Sequence, residues 1–196
     1  LVGDTALALQ PTFFGAARAD RELHPIATLS ADPCTPQMGQ PGTWNERLPH
    51  FKIDHVPASG DELQSEYFIA REHAVPAMQA MMRLRAKMQA LLWTSEVRTV
   101  AADDLWMSMS FGRPTVALHF SWKRDWAGLR ALLPHLEEAL APFDARPHWG
   151  KLFTMPPTQV QALYPRLPHF QALLQAFDPL GKFRNAFLDT YVLAAN

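Results

Sequence analysis

Small, β-branched and polar side chains alternate over Thr94-Ser95-Glu96-Val97-Arg98-Thr99-Val100, the period of a β-strand. On that period Thr94, Glu96 and Arg98 share one face. A carboxylate and a guanidinium two residues apart on a strand lie side by side and can pair. A second run, Thr115 to Trp122, sets Val116, Leu118, Phe120 and Trp122 on an apolar face and Thr115, Ala117, His119 and Ser121 opposite. If both strands belong to one sheet, Glu96, Arg98, His119 and Ser121 line a polar patch suited to a small, hydroxyl-rich ligand. The plainer alternative is a wetted face of an antiparallel sheet, which needs no function.

Around these strands the pattern predicts further elements. His50 to Val56 alternates, Pro57-Ala58-Ser59-Gly60-Asp61 has turn composition, and Leu63 to Ile69 makes another strand. Arg71 to Leu91 predicts a helix, with Val75, Met78, Met81, Met82, Leu84, Met88 and Leu91/Leu92 at helical spacing. That methionine stripe suits core filling. Asp125 predicts an N-cap for a helix over Trp126 to Leu140, with Leu129, Leu132, Leu133, Leu136 and Leu140 inward. The order strand, strand, helix, strand, strand, helix predicts an α+β fold: an antiparallel sheet with helices on one face. Residues 1–45, broken by Pro11, Pro25, Pro33, Pro36 and Pro41, are expected to form an irregular connecting segment. Residues 46–160 form the expected ordered domain. Residues 161–196 form a C-terminal segment with a short amphipathic helix near 168–177. Ala145 to Phe153 is too short and too marked by Pro and Gly to predict a regular element.

Composition narrows the classes. Hydrophobic residues at 48% and charged residues at 19% give enough apolar surface for a real core. A net charge of −1 without a basic stripe argues against nucleic-acid binding. The single Cys34 excludes an internal disulfide, suits a reducing compartment and leads to an expected cytoplasmic location. No apolar run approaches about 18 residues, so no transmembrane helix is expected. Eight histidines without His-x-x-x-His or Cys-x-x-Cys spacing leave no metal site in view. The chain begins at Leu1 with no basic leader, and it is expected to be part of a longer protein.

Six segments in order carry a resemblance: Trp44 to Phe51, Leu63 to Tyr67, Glu96-Val97-Arg98, His119-Phe120-Ser121-Trp122-Lys123, Arg146-Pro147-His148-Trp149-Gly150-Lys151 and Asp178 to Asn185. The chain from about Arg21 to Leu188 resembles the C-terminal, substrate-binding half of the FAD-dependent alditol (xylitol/sorbitol) oxidases. These belong to the vanillyl-alcohol-oxidase class and are related to the aldonolactone oxidases.

The resemblance implies an oxidase of CH–OH donors. A polyol's terminal alcohol passes a hydride to flavin, and oxygen is reduced to hydrogen peroxide. FAD would be bound mainly by an upstream domain, for the nine glycines here are scattered and form no phosphate cradle. The chain alone would then be inactive. By resemblance, Glu96, Arg98, His119, Ser121 and Lys151 contact the substrate; His119, Lys151 and Arg98 are catalytic; and Lys151 and Arg98 also approach the flavin. His119 would sit beside the reacting carbon and accept the hydroxyl proton. Ser121 stands where the family usually has Thr, which keeps the hydroxyl. His148 either joins the site or shapes the turn that aims Lys151. Tyr67, Lys123 and Trp149 are expected to pack, and Glu46 and Arg47 to form a surface ion pair. Two alternatives remain open: an oxidase of the D-arabinono-1,4-lactone type, and a stand-alone carbohydrate-binding or interaction module. The polyol, the electron acceptor and self-association are not specified by the sequence.

Overall fold

A computed structural model describes residues 10–26, 28–55 and 62–193. Backbone contacts divide the chain into two units, one ending at Ser59 and one starting at Gly60.

The first unit holds a two-residue hairpin, β1 (Thr12–Phe13) with β2 (Ala16–Ala17), and a single-turn helix α1 (Trp44–Arg47). The strand expected over His50 to Val56 is a correction. Phe51 makes one isolated antiparallel bridge to Cys34, and a turn follows directly; Val56 lies outside the described residues. Two hydrogen bonds tie the stretch to residues 33–35, Thr35 N–H to His50 O and Lys52 N–H to Pro33 O, and Thr35 Oγ1–H donates to Pro49 O just before it. Alternation there had no partner strand long enough to extend a ladder. Glu46 and Arg47 form a loose, partly exposed pair at 3.8 Å, which contributes little.

The second unit is α+β, as expected. Its sheet comprises β3 (Glu62–Ala70), β4 (Leu92–Val100), β5 (Thr115–Lys123) and the two-residue β6 (Arg146–Pro147). All pairings are antiparallel and the order is β4-β5-β3-β6. Beyond β6 the chain keeps following β3, with His148 N–H donating to Glu66 O and Leu152 N–H to Gln64 O. The Pro-Gly-marked stretch thus becomes a sheet edge, where proline's missing donor is harmless.

One face of the sheet is the core. Tyr67, Ile69, Val116, Leu118, Phe120 and Trp122 pack against α2 (Ala74–Arg83) and α4 (Trp126–Leu140). Leu129, Leu132, Leu133, Leu136 and Leu140 are all buried, each burial contributing roughly 1.5–3 kcal/mol. Asp125 caps α4 by accepting from Gly128 N–H at 2.9 Å. The helix expected from Arg71 to Leu91 is broken into a 3₁₀ turn (Arg71–His73), α2 and α3 (Arg85–Met88). The break is at Leu84, whose φ −90°, ψ 0° leaves the helical well. Met81 and Met88 fill core, whereas Val75 and Met82 face outward.

A register shift between Leu92 and Thr94 sets Leu92 opposite Trp122 and Thr94 opposite Ser121. The extra residue, Trp93, is a bulge that turns Leu92 toward the core while keeping Thr94, Glu96 and Arg98 on the other face. A smaller cluster of Met155, Val160, Tyr164, Leu167 and Val192 joins α5 (Pro157–Ala162), α6 (Leu167–Phe177) and the C-terminal turns, which include α7 (Ala186–Leu188). No helix among the described residues is long and apolar enough to cross a membrane.

Candidate functional site

Register sets the site. Glu66 on β3, His119 on β5 and Glu96 on β4 are paired in one row across three strands. Ser121 pairs Thr94 and Gln64 in the row on one side, and Arg98 pairs Ala117 in the row on the other. Period-2 geometry therefore places Glu66, His119, Glu96, Ser121 and Arg98 on the face opposite the helices. Lys151 reaches the same face from the edge beside β3 and completes a connected set.

Glu66 is its hub. Its Oε2 accepts from Lys151 Nζ at 2.5 Å, and its Oε1 accepts from Arg98 Nη1 at 3.1 Å. Arg98 also donates to Glu96 Oε2, from Nη2 at 2.6 Å and from Nε at 3.1 Å. Lys151 Nζ lies 3.0 Å from His119 Nδ1, and His119 Nε2 lies 3.2 Å from Ser121 Oγ. Glu66 Oε2 is 3.7 Å from His119 Nδ1, too far for a direct hydrogen bond.

Exposure is graded across the cluster. The side chains of Glu66 and His119 are each 4% exposed, Lys151 17%, Glu96 32% and Arg98 45%. The anion at the centre is dry, and the side chains of Arg98 and Glu96, and less so that of Lys151, carry the accessible surface. A ligand meets Lys151, Arg98 and Glu96 first.

Electrostatics follow. Burial alone would push the Glu66 carboxyl up, but its contacts with His119 and Lys151 outweigh that and hold it at about 2. Glu66 is therefore a carboxylate at neutral pH. Burial opposes the Arg98 charge, yet Glu96 and Glu66 raise its pKa overall. Burial, and then the nearby Lys151 charge, lower the His148 imidazole.

The structure brings together all five residues singled out from the sequence: Glu96, Arg98, His119, Ser121 and Lys151. His148 stays apart from the hydrogen-bonded set; its Nδ1 accepts from Gly150 N–H at 3.0 Å and shapes the turn before Lys151. Trp149 packs on Tyr164 and donates from Nε1 to Met107 O; Lys123 Nζ donates to Ala90 O. Tyr67 points to the opposite face, where its hydroxyl donates to Glu137 at 3.0 Å. Glu66 was not singled out. Its signal was a lone carboxylate entering the buried half of β3, beside Tyr67, Phe68 and Ile69.

The cluster has acceptors in Glu96 and Ser121 and donors in Lys151, Arg98 and Ser121. Alternating acceptors and donors on one face can satisfy several ligand hydroxyls at once, which matters because an unpaired buried hydroxyl costs roughly 1–3 kcal/mol.

Comparison with known proteins bears on the same region. An alditol oxidase from Streptomyces sp. (strain IKD472 / FERM P-14339) is 50% identical over 178 residues, which is 91% of this chain and 43% of that protein. An L-gulono-1,4-lactone dehydrogenase from Mycobacterium tuberculosis (strain ATCC 25618 / H37Rv) is 30% identical over 63% of this chain and 29% of its own length. An L-gulonolactone oxidase from Bos taurus is 28% identical over 63% of this chain and 29% of its own length. The chain thus spans less than half the length of these curated relatives. The sequence model of one family covers residues 61–191, which include all of β3, β4 and β5 and every residue of the charged cluster. The chain belongs to the D-arabinono-1,4-lactone oxidase family.

Proposed function

We propose that this chain is the substrate-contacting half of an FAD-dependent oxidase that converts the terminal alcohol of a polyol. The observation that carries the reading is the convergence of Glu96, Arg98, His119, Ser121 and Lys151 around Glu66 on one sheet face. Likeness to the Streptomyces alditol oxidase over 91% of the chain supports a polyol over a lactone.

The residues fit the reactive end of a flavin and no more of it. Lys151 and Arg98 offer cationic donors at the accessible rim, suited to the electron-accepting ring. The diphosphate needs a glycine-rich cradle that this sequence lacks, so that part falls to another domain of the same protein. Exposed Phe177, Leu180 and Phe183 line an apolar groove near the C-terminus and offer a seam for that domain. The chemistry supplied by FAD when bound is uptake of a hydride from the alcohol carbon and return of the electrons to oxygen as hydrogen peroxide.

The chain's own residues bind and orient. Glu96 accepts from ligand hydroxyls, Arg98 and Lys151 donate to ligand oxygens, and Ser121 supplies a further hydroxyl. His119 lies beside them at the reacting end. Lys151 also favours negative charge developing on a bound oxygen. The buried, unpaired Cys34 is consistent with a cytoplasmic location.

The test is turnover of the full-length, flavin-loaded protein with xylitol and with a 1,4-lactone. Xylitol should be the better substrate, and Lys151→Ala should lower turnover more than about 10²-fold. Preference for the lactone would move the protein to the lactone-oxidase reading, and a near-normal Lys151→Ala rate would remove Lys151 from the mechanism. If neither compound is oxidised by flavin-loaded protein, the reading fails and the binding module takes its place.

A further inference from the structure

We infer that Glu66 is a positioning residue: through Lys151 it locks His119 as the Nε2–H tautomer, so that Ser121 presents its hydroxyl hydrogen to the ligand. An ionised carboxylate accepts and never donates, and a lysine ammonium donates and never accepts. Glu66 is buried and takes Lys151 and Arg98 on separate oxygens. One Lys151 proton goes to Glu66 Oε2 and a second points to His119 Nδ1 at 3.0 Å. Nδ1 must then carry its lone pair, and the imidazole proton sits on Nε2.

Nε2–H faces Ser121 Oγ at 3.2 Å. Ser121 Oγ accepts there, and its own O–H is left to donate outward. The third Lys151 proton is likewise left for a ligand. The chain Glu66, Lys151, His119, Ser121 runs from the driest group toward the bound hydroxyls and fixes the direction of every hydrogen bond along it.

His119 in this state has no free lone pair. It cannot take a proton from a bound alcohol through Nδ1 until Lys151 withdraws, and Nε2 already holds one. Its part is to orient Ser121. Removing Glu66 frees Lys151 from its anion and lets the imidazole adopt either tautomer.

The role toward a polyol rests on the proposed function; the tautomer does not. Selective ¹⁵N-histidine labelling of the intact protein, with His119 assigned from a His119→Gln spectrum, reads the two ring nitrogens directly at neutral pH. The expected spectrum shows Nδ1 unprotonated and Nε2 protonated. In Glu66→Gln, Nδ1–H should become a measurable population. Lys151→Met, which keeps the stem and removes the donor, should release the tautomer in the same way and serves if Glu66→Gln does not fold. A wild-type His119 protonated at Nδ1, or at both nitrogens, would overturn the assignment. An unchanged tautomer in the folded variants would remove Glu66 and Lys151 from the lock. If the spectrum is as expected and no polyol is oxidised, the functional reading fails and the lock stands.

Discussion

Two buried carboxylates, on opposite faces of the same sheet, behave in opposite ways. Glu66 and Tyr67 are neighbours on β3, so their side chains point to opposite faces. On one face Glu66 meets Lys151 and Arg98, and His119 and Lys151 outweigh its burial and hold it at about 2. On the other, Tyr67 meets Glu137 of α4. Glu137 accepts from the Tyr67 hydroxyl, from Thr154 N–H at 2.7 Å and from Thr154 Oγ1–H at 2.6 Å. All these donors are neutral. Burial therefore wins and raises the Glu137 carboxyl. The Tyr67 phenol is pushed well above its usual range by burial and by facing that carboxylate. Neutral donors make an anchor that ties the segment after Lys151 to the core. Cationic donors, half of them at the surface, make a place where charge can meet a ligand.

The largest break in this contrast is Glu66→Leu. It strands Lys151 and Arg98 without their shared anion, and removing one partner of a buried pair typically costs about 3–5 kcal/mol. Urea unfolding should show that loss; a cost under about 1 kcal/mol would mean the cations find water instead.

Acid sharpens the contrast next. The folded value of Glu66 is depressed from 4.5 to about 2, so its stabilisation is full above about 4.5 and is lost as pH falls toward 2. The shift corresponds to about 3 kcal/mol. Glu137 has the opposite sign: its raised value favours the fold at low pH, and that benefit fades as pH rises through the folded value. Stability measured from pH 5 to pH 2 should fall steeply in the wild type and less steeply in Glu66→Gln. Equal slopes would show that other carboxylates set the acid limb.

How far the sequence foretold these two faces depends on alternation. The β4 and β5 runs are regular, and their polar faces were legible residue by residue. The α4 leucines and the Asp125 cap were equally plain. β3 was legible as a strand but not as a source of the site. Ser65 sits on the core face, where its Oγ accepts from Trp122 Nε1, and Phe68 sits on the polar face. Polarity therefore does not mark its faces, and only the pairing register brings Glu66 beside His119. Lys151 was reached by resemblance, since nothing local in a Pro-Gly turn places an ammonium 2.5 Å from a carboxylate 85 residues away. His50 to Val56 misled because alternation describes a strand's faces and says nothing of whether a neighbour exists to pair with it.

Smaller changes should test the anchor. Thr154→Ala removes a hydroxyl from a charged acceptor and should cost about 1–3 kcal/mol by chemical unfolding. Glu137→Gln keeps the shape, keeps the two bonds to Oε1 and can donate to Thr154 Oγ1 in place of accepting from it, while discarding a charge that burial disfavours, so its effect should stay within about 1 kcal/mol. If Glu137→Gln proves as damaging as Glu66→Leu, the two carboxylates do not differ in kind.

The most direct measurement is a crystal structure of the full-length, flavin-loaded protein with xylitol bound. Polyol hydroxyls should lie about 2.7–3.2 Å from Glu96, Arg98, Ser121 and Lys151, with Glu66 behind them still joined to Lys151 and Arg98. Xylitol seated on another surface, with this face covered by protein alone, would contradict it.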